Sequence, residues 1–413
     1  MAEKFREAGS EGARERGSKI GPLAALLTPA SGPTLLGMKI WLLAVVLTAC
    51  GAARAQWEME SSGTTADLRG IDNVGGGVAW ASGTNGTVLR TEDGGYLWQA
   101  CAVPLGAEHL DFRGVQAFDA NTAIVMSSGK GDLSRLYKTT DGCQTWKSVF
   151  TNPDADGFWD AVYSASDGQL YVLGDPVKGT FALFLSPDAG DTWYAAGDSG
   201  REAFPGDGSF AASNSELAGY GPYLLFGTGG SGGSHVYATG AKCSPPAGHP
   251  NAPAITNCTI GWSKVDVPVG SSTASSGAFS LALRPYTAKS GMLTAAVVAA
   301  GGDYTYPDRS TATAAWSSDG GRHWTASATP PHGYRSAVAY DAATKTWITV
   351  GPNGTDVSTD DGKNWRALHP DAAMHEAPDA DRDWNALSLP FVVGPHGRIG
   401  KLNPKALAQN ESK

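Results

Sequence analysis

The sequence is poor in charge, in cysteine and in long apolar runs, and each shortage excludes something. Lys, Arg, Asp and Glu make up only 17% of 413 residues, and the formal net charge is −9. Residues 1–55 hold seven of the Lys/Arg and four of the Asp/Glu, so the rest carries 24 basic against 36 acidic residues, a net of −12. A protein that grips phosphate backbones needs a basic surface, so nucleic-acid binding is excluded as a general activity. The apolar run Ile40–Cys50 is too short for a bilayer, which takes about 20 residues, and nothing after it is longer, so no transmembrane segment is expected. No C-x-x-C pair and no His/Cys ligand spacing exists among 5 Cys and 8 His, which leaves a zinc site unsupported. There is no G-x-S-x-G elbow. No cofactor and no metal is therefore expected.

What the chain has in quantity is glycine, 54 residues, and tryptophan, 13 residues. That combination suits an all-β protein with many tight turns. The first 55 residues read differently. Met38-Lys39, the apolar run and Ala53-Arg54-Ala55 have the form of a secretory signal with cleavage after Ala55. Leu47-Thr48-Ala49-Cys50 offers the alternative of a lipid anchor at Cys50. The start of translation is expected at Met38. The expected organisation is thus 1–55 extension and signal, 56–404 folded domain, and 405–413 tail, with the mature chain periplasmic or extracellular. Four cysteines follow Ala55, an even number that suits disulfides in an exported chain. Cys243 and Cys258 bracket a Pro-rich loop and are expected to pair, leaving Cys101 for Cys143.

One pattern recurs five times: Ser/Thr-x-Asp-x-Gly-x-x-Trp. It places Asp93 before Trp98, Asp141 before Trp146, Asp188 before Trp193, Asp319 before Trp324 and Asp360 before Trp365. In the second copy Cys143 stands in the glycine position. These stretches resemble the Asp-box of β-propellers. The carboxylate can accept hydrogen bonds from turn N–H groups, the glycine accepts positive φ, and the Trp begins an outer strand and wedges between neighbouring sheets. Their role is read as structural. Trp57 and Trp262 complete a series at the outer-strand position, so seven units of propeller-blade length are expected. The last unit, from Trp384 to Leu402, lacks an outer strand, which Trp57–Glu60 can supply. The expected fold is an all-β, seven-bladed propeller closed by the N-terminal strand.

Gly83-Thr-Asn-Gly-Thr-Val88, Asp111-Phe-Arg-Gly-Val115 and Pro330-Pro-His-Gly-Tyr-Arg335, together with the boxes, give residues 57–404 a further likeness. They resemble the photosystem II stability/assembly factor family of seven-bladed propellers. The resemblance implies an exported, non-enzymatic monomer that binds a protein or peptide of an envelope membrane complex. The turn at 227–233, the insertion at 240–260 and the missing fourth box depart from the pattern. The box is also shared with sialidases, so a sialidase-like glycosidase or a glycan-binding propeller is the alternative, although no nucleophile pair is evident.

In a propeller the loops between second and third strands surround the channel mouth, opposite the box turns. Arg69, Arg113 and Arg335, in Leu-Arg-Gly-Ile, Phe-Arg-Gly-Val and Tyr-Arg-Ser-Ala, occupy matching inner-strand starts and are expected to converge there. Asp111, Asp175, Asp303 and His332 are expected nearby. Either the arginines hold an acidic peptide, or they pair internally with those carboxylates. Gly227-Thr-Gly-Gly-Ser-Gly232 is followed by a strand pattern where a dinucleotide site needs a helix, so an oxidoreductase reading has no support. Asn152-x-Asp-x-Asp156-Gly157 lacks the final Glu of a calcium loop.

Overall fold

A computed structural model describes residues 56–197, 199–244, 257–372, 376–403 and Leu407, with the backbone alone at 241–244 and 257–260. The expected signal segment with Cys50, and the tail, lie outside the described residues.

The strands form seven antiparallel sheets. Blade 1 is built from Leu68–Gly75, Val78–Gly83, Val88–Thr91 and Gln99–Ala100, in sequence order from the channel outwards. Blade 2 (Phe112 to Thr151) and blade 3 (Trp159 to Ala195) repeat the order, as do blade 4 (Leu217 to Asp266), blade 5 (Ser276 to Ala326) and blade 6 (Ala337 to Leu368). Blade 7 takes three strands from Ala386 to Leu402, and its fourth is Trp57–Glu60, with Trp57 opposite Leu402 and Glu60 opposite Ile399. This pairing closes the ring and covers the edge of Ile399–Leu402.

Seven apolar clusters hold the blades together. Each contains one tryptophan of the series: Trp98 between blades 7 and 1, Trp146 between 1 and 2, and Trp193 between 2 and 3. Trp262, Trp324, Trp365 and Trp57 follow in the remaining four. A large flat ring at the start of the outer strand spans the gap that opens as the blades fan out.

Each box turn is a closed hydrogen-bond unit. In the first, Leu97 N–H donates to Asp93 Oδ1 at 3.0 Å, while the Thr91 hydroxyl donates to Asp93 Oδ1 at 2.9 Å and accepts from Gly95 N–H at 3.0 Å. The same three bonds recur around Asp141, Asp188, Asp319 and Asp360. The side chain and backbone of Thr145 hold the Asp141 carboxyl at about 2, and Thr192 does the same for Asp188. The leading Ser/Thr is therefore a working member of the turn, since it takes the N–H that the Asp does not reach. Cys143 accepts φ +64° at the glycine position, and its sulfur is joined to Cys101, tying blade 1 to the box turn of blade 2. Blade 4 has no box. Its third and fourth strands run on as a ten-pair ladder in which Cys243 lies opposite Cys258. Their side chains lie outside the described residues.

Blade 5 carries two extra short strands, Asp207–Gly208 and Gly229–Gly230, at its inner edge. Gly229 packs against the backbone of Gly277 so closely that a Cβ would lie 2.3 Å from Ser276 O. The glycine-rich stretch is thus a close backbone crossing.

Deep in the channel, Asp72 accepts hydrogen bonds from Ala117 N–H at 2.8 Å and Gln116 Nε2 at 2.9 Å. Burial nevertheless raises its pKa to about 6. A carboxyl raised in the fold binds its proton more tightly there than in the unfolded chain. The associated stability is complete below the unfolded value near pH 4 and is lost as pH rises through about 6. We expect Asp72→Asn to raise unfolding stability by about 2 kcal/mol at pH 7 and to change it little at pH 4. Urea unfolding at the two pH values checks this, and an equal effect at both would refute it.

Candidate functional site

The first strand of each blade enters at the channel mouth, and four of the seven open with a β-bulge. The bulges fall at Arg69, Arg113, Asp160 and Phe279. A bulge re-aims one side chain. Glu216, Ser336 and Asn385 hold the equivalent register in blades 4, 6 and 7, each one residue before the first paired residue (Leu217, Ala337 and Ala386). Six members of this ring line an axial cavity of about 510 Å³. The seventh, Glu216, is covered by the 209–212 segment.

Of the residues expected at the mouth, Arg69, Arg113 and Asp175 line this cavity, and Asp111, Asp303, His332 and Arg335 do not. Arg335 is fully buried. Its Nε and Nη2 donate to Asp356 Oδ2, and Nη1 donates to Tyr334 O at 2.8 Å. The reason is register. In Tyr-Arg-Ser-Ala-Val it is Ser336 that stands at the ring position, and a shift of one residue turns a side chain to the other face. His332 lies beside the same pair, with Nδ1 2.8 Å from Asp356 Oδ1. Asp303 is buried among hydroxyls. Burial alone would raise its carboxyl, but the hydroxyls of Thr305, Ser275 and Thr273 hold it at about 2.

The cavity has two unlike halves. On blades 1 and 2, Arg69 and Arg113 are each about 30% exposed and face a shared carboxylate. Arg113 Nε is 2.8 Å from Asp111 and Arg69 Nε is 3.7 Å away. Arg113 Nη1 also donates to Ala211 O at 3.0 Å. Arg69 Nε makes no hydrogen bond among the described residues. The two guanidinium groups share Asp111, Asp67 lies 3.9 Å from Arg69 Nη2, and donors remain for a further anion.

The other half is acidic and aromatic. Asp160 and Glu216 are each 1% exposed. Ser209 joins its neighbours: its N–H donates to Asp175 and its hydroxyl to Glu216 at 2.6 Å. Burial raises the Asp160 carboxyl well above its usual range, and the charges of Asp175 and Glu216 add to it. Burial raises Glu216 and Asp175 as well. Phe210 stacks on Phe279 at 3.9 Å, and Phe279 meets Tyr334 edge-on at 4.9 Å. Asp160 and Glu216 are absent from the sequence-based reading of the site, although Trp159-Asp-Ala-Val162 follows the Phe-Arg-Gly-Val template. A search for arginine alone passes over it.

Fold and mouth together define a class: a seven-bladed β-propeller whose axial cavity opens opposite the box turns. Among solved structures, YCF48 bound to D1 peptide has this fold, with a TM-score of 0.50 and 18% identity over 84% of this chain and 96% of that one. YCF48 from Cyanidioschyzon merolae gives 0.49 and 16%, covering 85% and 100%. A GH74 enzyme from Niastella koreensis gives 0.28 and 17%, covering 72% and 56%. No protein-family model and no curated protein matches the sequence.

Proposed function

We propose that this chain is a non-enzymatic propeller that works outside the cytoplasm as an assembly factor. It docks an extended segment of a membrane-complex subunit at the axial cavity, with a carboxylate of that segment on Arg69 and Arg113. The observation that carries this reading is the arginine pair on adjacent blades, open to the cavity and sharing Asp111, with Asp67 at 3.9 Å from Arg69. A carboxylate can accept from both guanidinium groups at once. The fold shared with a YCF48 that binds a D1 peptide supports it. So does the exposed aromatic Tyr304, which lines the cavity.

The test is a peptide array covering the solvent-facing segments of envelope-complex subunits from the source organism. The parent chain is expected to select acid-containing segments. The double variant Arg69→Ala/Arg113→Ala should bind them at least about tenfold more weakly, as expected for the loss of charge-assisted hydrogen bonds. Equal binding by the two proteins would remove the site from the mouth.

A further inference from the structure

The arginine half of the cavity answers a negative charge; the other half answers a positive one. Three carboxyl groups, Asp160, Asp175 and Glu216, are gathered on blades 3 and 4. Among the described residues none of them forms an ion pair. Arg113 is the cation whose field Asp160 feels, and its Nε and Nη1 already donate to Asp111 and Ala211. Asp160 lines the cavity, is 1% exposed, and has an Oδ2 that accepts no hydrogen bond among the described residues. A buried acceptor left unmatched costs free energy that a donor entering the cavity would recover. Phe210, Phe279 and Tyr334 stand beside it, and aromatic faces attract a desolvated cation. Among the described residues no three His, Cys, Asp or Glu are arranged to hold a metal ion, so the fit is to an organic cation.

We propose that the acidic half of the mouth, Asp160 with Asp175 and Glu216 beside Phe210, Phe279 and Tyr334, receives one alkylammonium or guanidinium group. The docked segment therefore carries a lysine or arginine next to the acid held by Arg69 and Arg113. This rests on the docking reading above and narrows it: the partner segment bears both signs of charge at the mouth. The groups facing Asp160 are Asp175 on its own blade, Glu216 on blade 4 and Arg113 on blade 2, while Tyr334 before blade 6 feels Glu216 and Arg113. Burial favours the neutral acids when the cavity is empty. An entering cation favours their ionised forms, so binding releases a proton and strengthens as pH rises.

The experiment titrates the full chain, by calorimetry at pH 5.5 and 7.5, with two N-acetylated, C-amidated dipeptides, Glu-Lys and Glu-norleucine. Glu-Lys should bind about tenfold tighter at pH 7.5. Its advantage should shrink at pH 5.5, and heats in phosphate and Tris buffers should reveal proton release. Asp160→Asn should bring Glu-Lys to within about twofold of Glu-norleucine. Glu216→Gln is the second variant should the first lose its thermal transition. Arg69→Ala/Arg113→Ala should weaken both dipeptides. Equal affinity of the parent for the two dipeptides overturns the cation site and leaves the docking reading standing. So does a Glu-Lys preference that survives both acid variants. Binding of neither dipeptide by the parent overturns both readings.

Discussion

Asp356→Ala should destabilise the protein by about 3–5 kcal/mol, because it strands a guanidinium that has no contact with water. Arg335 is fully buried. Burial pushes the Asp356 carboxyl up, but the hydrogen bond from His332 and the guanidinium of Arg335 outweigh it and hold it below the usual range. Removing one partner leaves the other charged in a poorly polarisable site, whereas removing both leaves neither. The pair Arg335→Met/Asp356→Leu should therefore recover most of the loss, and a denaturant-unfolding double-mutant cycle measures the coupling. The same double variant should bind acid-containing peptides as the parent does, since Arg335 stands behind the mouth. A single-variant loss under about 1 kcal/mol would refute the buried-charge account.

The second large effect belongs to the seam. Trp57 is 2% exposed, donates its indole N–H to Thr355 Oγ1 at 3.3 Å, and packs on Trp384 at 5.9 Å. Its cluster joins blades 6 and 7, so the residue that pairs the terminal strand also fills an inter-blade core. Trp57→Ala should cost about 3–5 kcal/mol. Met59 on the same strand is 45% exposed, and Met59→Ala should change stability by less than about 0.5 kcal/mol. Equilibrium unfolding compares them. The Trp57 variant should also form soluble oligomers on size exclusion, because loss of the clamp bares the edge at Ile399–Leu402. Equal effects of the two substitutions would refute the clamp.

The architecture was legible because its chemistry is local. Each bond of a box turn joins residues no more than four positions apart, as Gly95 with Thr91 and Leu97 with Asp93, so its signature survives in the sequence. The tryptophan series marked the blade interfaces for a similar reason, since in the five boxed units the outer strand starts directly after the Trp of the box. The mouth was legible only in part. Arg69 and Arg113 sit in matching tetrapeptides and arrive where the motif suggested. Arg335 sits in a tetrapeptide that looks alike and is offset by one position, and only the pairing of Ala337 with Val350 reveals the offset. Of the acidic half only Asp175 was read from the sequence; Asp160 and Glu216 escaped because the ring and the Ser209–Glu216 insertion, which has no repeat of its own, bring them together.

The closing strand has a consequence for how the ring comes into being. The four main strands of each of blades 1 to 6 come from one continuous stretch, so each can take shape as it is synthesised. The last blade cannot, since the amide of Asn403 reaches Glu58 across 345 residues. The first strand made must wait for the last, and non-local pairings of this kind form slowly. During that interval the chain is an open arc with a bare strand at its end. Release of the four-residue strand Trp57–Glu60 would reopen that arc, so tightening its pairing is expected to slow unfolding of the ring.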